Sequence, residues 1–196
     1  MLGSITPLGE RGRGSRWWVT FAWFVVGCVT GGALVGAVLG SVGAALFDAL
    51  DLGAHHRSQI LVAATGLAIA ADAAGRRVST TTRQVNAYWI GRYKGWVVGL
   101  GFGFQLGAGV ATIVTTGLVY VALLAAALSG SMLGGIVVMA AFGLARGIAL
   151  LPAATITTPS GLYLADAWLT RRAGTARFLA VAVAAAVAVP LLLATL

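Results

Sequence analysis

Residues 17–47 run as WWVTFAWFVVGCVTGGALVGAVLGSVGAALF without one charged side chain. A helix needs roughly 20 such residues to cross the hydrocarbon core of a bilayer. Further apolar runs follow at about 58–74, 96–128, 132–153 and 178–196. In lipid every backbone N–H and C=O has to be satisfied within the segment, so runs of this length read as helices. The expected fold is all-α, a polytopic transmembrane helical bundle of about five spans. It forms a single transmembrane domain over 17–196, preceded by a tail at 1–16. Composition points the same way: 9% of the residues are charged, against about 25% in an ordinary soluble domain.

The first run would make ~46 Å of straight helix, so it is expected to be tilted, kinked or broken at its glycines. The third run is likewise too long for one straight crossing. Between the runs lie a loop at 48–57 (DALDLGAHHR), a long basic segment at 75–95, a Ser129-Gly130-Ser131 turn and a polar stretch at 154–177.

Net charge is +8. In a soluble protein that balance would point to nucleic acid. Here Lys and Arg count three before the first span, one after it, five after the second, none after the third and three after the fourth. The positive-inside rule reads that alternation as a cell-membrane protein with a cytoplasmic N-terminus and an outside C-terminus. No nucleic-acid partner is expected; the bilayer, further copies of the chain or other membrane subunits are. Arg11, Arg13 and Arg16 ahead of an apolar run imitate a signal peptide, but the run is too long for an h-region and reads as an uncleaved first span. Cys28 is the single cysteine, so no intrachain disulfide can form.

Arg146 is the one charge inside the fourth run, MLGGIVVMAAFGLARGIALLPA. A charge at the centre of the membrane costs about 2.5–3.5 kcal/mol on insertion scales. The side chain can snorkel to the near interface, or it can meet an anion or carboxylate inside the bundle. Asp72, near the end of the second span, is the expected partner. In the third run, GLGFGFQLGAGVATIVTTG, Gly99, Gly103 and Gly107 recur at i+4 and make one flat face for close packing. Gln105, Thr112, Thr115 and Thr116 are its polar groups. The threonines either bond back to their own helix or mark an unwound stretch that lines a pathway. His55 and His56, with Asp48 and Asp51, read as polar loop residues rather than a metal site. No Ser/His/Asp, Cys/His or HExxH arrangement occurs, so no enzyme, catalytic residue, metal or cofactor is expected.

The two halves share an echo. VGCVTGGAL at 26–34 matches FGLARGIAL at 142–150, pairing Gly27 with Gly143 and Gly31 with Gly147. The two spans are expected to run in opposite directions, which is what a degenerate inverted repeat produces, with its working site near the midplane. Arg146 then stands where the first half has Thr30.

The stretch GFQLGAGVATIVTTGLVYVALLAAALSGSMLGGIVVMAAFGLARGIALLP, with residues 16–75, resembles the membrane domain of the cytochrome c biogenesis thiol-disulfide carriers of the CcdA/DsbD type. It also resembles, more widely, the LysE-like superfamily of small exporters. That resemblance implies electron passage through one cysteine in each repeat. Around Ala111 and Thr112 no cysteine occurs, and Cys28 matches neither redox position. The expected function is therefore transporter-like, moving a small anionic or sulfur-containing solute past Arg146. The alternatives are a non-catalytic accessory or assembly subunit and a degenerate thiol-disulfide carrier.

Overall fold

A computed structural model describes residues 6–12, 14–51, 53–73, 93–109, 118–165, 167, 168 and 171. Its helices are α1 Pro7–Arg11, α2 Trp17–Leu50, α3 Ala54–Ala73, α4 Gly95–Ala108, α5 Leu118–Leu128 and α6 Met132–Ile148, followed by a 3₁₀ turn at Leu151–Thr155. Among the described residues there is no strand. Trp17–Leu50 and the stretch Met132–Thr155 are each long and apolar enough to cross a membrane. The fold is that of an all-α membrane protein. The fifth expected span, at 178–196, and the basic segment at 75–92 lie outside the described residues.

Several boundaries differ from expectation. The first run is one continuous helix of 34 residues. A helix in apolar surroundings has no other partners for its backbone groups, so glycine alone does not break it. Less of the loop expected at 48–57 is loop: α2 carries on through Asp48 to Leu50, and His55, His56 and Arg57 already belong to α3. Hydropathy marks where charge begins rather than where a helix ends. The reversal falls at Asp51, which takes a left-handed φ of 51°. The polar stretch at 154–177 likewise contains the end of the 3₁₀ turn and helical residues at 159–165.

Residues 1–16 are more than a tail. The Oγ of Thr6 accepts from the Gly9 N–H at 3.2 Å, and Pro7 opens α1. Threonine at the cap and proline at the first position are both standard helix starts. Thr6 and Glu10 are fully buried. α1 touches the 3₁₀ turn, and the first turn of α4 comes so close that a Cβ on Gly95 would sit 2.9 Å from the Glu10 carboxylate.

The chain divides into two compact units, and α2 and α6 lend a half to each. The first unit comprises residues 1–32, 83–112 and 140–173. Its core is Phe24 and Cys28, packed against Phe102, Leu106 and Leu150. The second comprises 33–82, 113–139 and 174–196. There Gly36 and Gly40 of α2 meet Gly135 of α6, Gly43 meets the Ala127 carbonyl of α5, and α3 lies along α5. Gly130 makes the turn into α6 with φ 63°, a left-handed value that costs glycine little.

Candidate functional site at the Cys28 crossing

In the first unit α4 runs alongside α2 in the same direction, one glycine per turn. A Cβ on Gly99 would strike the Thr20 carbonyl, one on Gly103 the Phe24 carbonyl, and one on Gly107 the Cys28 carbonyl. From the other side, Gly27 faces Leu100 and Phe104, and Gly31 faces Phe104. The i+4 glycines of α4 thus ride on i+4 positions of α2, which lets the two backbones touch.

α6 reaches the same place in the opposite direction. Gly143 abuts the Cys28 carbonyl, and Gly147 lies against Val25 and the Cys28 Cβ. Three helices therefore cross at Cys28, whose side chain has no exposed surface. By helix rise the crossing is ~16 Å along α2 from Trp17. The aromatic cluster of Trp17, Trp18 and Phe21, with Trp23 against Trp96 at 5.6 Å, marks the near end of the unit. Aromatic residues gather in this way at membrane interfaces, so Cys28 sits at about mid-depth.

Arg146 lies between Gly143 and Gly147, at the same depth. Its Nη1 donates to the Leu106 carbonyl at 3.0 Å, and its guanidinium is 5.4 Å from the centre of the Phe142 ring. Leu106 is beside Gly107, which abuts Cys28, so the side chain reaches toward the crossing. Helical side chains lean toward their own N-terminus, and in α6 that direction leads away from the near interface.

What it meets there is a helix end. α4 stops at Ala108 because Gly109 turns left-handed, φ 73°, and its N–H donates back to Leu106. The last four carbonyls of a helix have no partner within it, and in lipid each needs a donor. The Leu106 carbonyl accepts from the Gly109 N–H, and Arg146 adds a second, charged donor to it, placing a positive charge beside the negative end of the helix dipole. The third expected span is thus interrupted within its length, as its glycines allowed.

The other expected site residues fall as follows. Gln105 is half-buried in the last turn of α4. Thr112, Thr115 and Thr116 lie outside the described residues, as does the side chain of Asp72, whose backbone belongs to α3. Thr30, the counterpart of Arg146, bonds back to the Val26 and Gly27 carbonyls at 2.9 and 3.1 Å. His55 contacts Gln59 at 2.9 Å on the first turns of α3. Among the described residues no group of three His, Cys, Asp or Glu could hold a metal ion. The sequence reading missed the Leu106 carbonyl as the partner of Arg146, because a backbone acceptor leaves no residue-type signal.

A unit of apolar helices closed by glycine crossings is that of an integral membrane protein. Residues 2–188 match the family described as "Cytochrome C biogenesis protein transmembrane region", and the chain belongs to that family. It is 33% identical over 175 residues to "Methylamine utilization protein MauF" of Paracoccus denitrificans, covering 86% of this chain and 61% of the relative. It is 31% identical over 180 residues to the protein of the same name from Methylophilus methylotrophus, covering 87% and 59%. The chain therefore spans about three fifths of the length of these relatives. No solved structure matches it.

Proposed function

We propose that this chain is a non-catalytic accessory subunit of the membrane, serving the assembly or maturation of a methylamine-utilization system, and not an electron carrier. The observation that carries this reading is the state of Cys28. Dithiol transfer needs two thiolates that meet in turn, and this sequence has one cysteine, sealed where three backbones touch. Its orientation has the N-terminus in the cytoplasm, and it works beside further copies or other membrane subunits. The inverted relation between α2 and α6 is part of this proposal. The shared glycines support it, Gly27 and Gly31 receiving α4 while Gly143 and Gly147 receive α2.

The test is complementation of a Paracoccus denitrificans strain lacking its own MauF. Cys28→Ala should support growth on methylamine as well as the unaltered chain does. Loss of growth with normal membrane levels of the variant would return the thiol to the mechanism.

Solute passage is the second reading, favoured by the interruption at Gly109, because irregular backbone at membrane depth is tolerated where it lines a cavity. Uptake or efflux of small anions by vesicles holding the purified chain measures it. Equal flux with and without the protein removes it.

A further inference from the structure

Arg146 has more donors than the protein uses. A guanidinium carries five N–H groups in a planar fork. One hydrogen bond, to the Leu106 carbonyl, accounts for the polar contacts of this side chain among the described residues. The Phe142 ring covers it without accepting in the plane of the fork. The α4 terminus offsets only about half an elementary charge.

No described carboxylate comes near. Among the described residues of this unit the acid is Glu10, and it is seated beside Gly95, ~16 Å of helix from Leu106. A half-buried cation with in-plane donors that no other described residue accepts from calls for a partner that accepts in that plane, and carboxylate or phosphate oxygens do so bidentately. The three-helix crossing fixes the site. α6 cannot slide or turn while Gly143 and Gly147 stay locked on Cys28, and Leu106 anchors one edge of the fork.

We propose that Arg146 is the base of an oxyanion site at the α4 terminus, one that takes a single carboxylate or phosphate group on the edge of the guanidinium not held by Leu106. The proposal is independent of the assembly reading, since it concerns a ligand of the isolated chain. The depth of the site favours a free small oxyanion over a lipid headgroup, whose phosphate lies out at the interface.

The test uses the purified full chain in phosphatidylcholine nanodiscs, titrated with sodium acetate or sodium octanoate against sodium chloride of equal ionic strength. Ligand that binds the folded state raises the unfolding temperature saturably. The expected result is a rise of a few degrees for the unaltered chain, none for Arg146→Gln, and a partial rise for Arg146→Lys, which keeps the charge but loses the fork. A parallel series in phosphatidylglycerol discs separates the sources: stabilisation there, with none from soluble carboxylate, assigns the oxyanion to a lipid phosphate. The proposal is overturned if the unaltered chain responds to neither, a result that stands even where Arg146→Gln fails to insert. An equal response from Arg146→Gln also overturns it. So does a double variant of Arg146→Gln and Asp72→Asn that loses no more stability than either alone, because Asp72 would then already occupy the fork.

Discussion

Among the described residues two arginines end against backbone turns, one in each compact unit, and they are held differently. Arg146 belongs to a span and reaches a carbonyl at mid-depth, at the broken end of α4. Arg57 belongs to the first turns of α3, lies 4.3 Å from the centre of the Phe47 ring and reaches the Gly130 turn between α5 and α6. One braces an interruption inside a span, the other a reversal at the end of two helices. The lesson is one of dielectric: a charged hydrogen bond shielded from water is worth several times one that water can replace.

The glycine seam beneath Arg146 offers the harshest way to break that comparison. Gly103→Val drives a branched side chain into the Phe24 carbonyl. Overpacking of this kind costs about 3 kcal/mol or more where backbone has to move, so the variant should fail to accumulate in membranes, as immunoblotting would show. Normal accumulation would mean that α4 can part from α2 without loss.

Next in size is Arg146→Ala. It removes a charged hydrogen bond worth about 1.5–3 kcal/mol, offset in part by relief of the buried charge, and should lower stability in detergent by roughly 1–2 kcal/mol in denaturant titrations. Arg57→Ala loses the cation–π contact with Phe47 and should cost about 0.5–1 kcal/mol. If the two costs come out equal, or reversed, the contrast between the arginines is lost. Gly109→Ala tests the helix end without touching either charge. Its φ of 73° is a left-handed value that costs a side chain about 1 kcal/mol, so a loss of that size is expected by the same titration. Smallest, and of opposite sign, is Gly66→Ala on α3, where nothing lies within 4 Å of the added methyl. A gain of about 0.5 kcal/mol is expected from helix propensity alone.

Much of the architecture was legible in the sequence because the bilayer imposes it. Apolar runs without charge gave the helices, and Gly99, Gly103 and Gly107 announced a flat face through their spacing. Helix ends were read poorly at Asp48–Leu50 and Ala54–Arg57, since the backbone ladder continues past the last apolar residue. α1 was missed because a single capped turn carries no periodicity. At the candidate site, the sequence singled out Arg146 through its cost, and Cys28 only through its being alone. Neither the Leu106 carbonyl nor the convergence of Gly107 and Gly143 on Cys28 could be read, for both arise between segments far apart in the chain.

The burial of Thr6 and Glu10 sets an order of events during synthesis. The elements they settle against, the start of α4 and the 3₁₀ turn at Leu151–Thr155, are made some 85 to 145 residues later. At about 5–20 residues per second of translation, this stretch of nascent chain waits roughly 4 to 30 seconds with a carboxylate it will later bury still in water. It finds its seat only when the spans that receive it have been threaded into the bilayer.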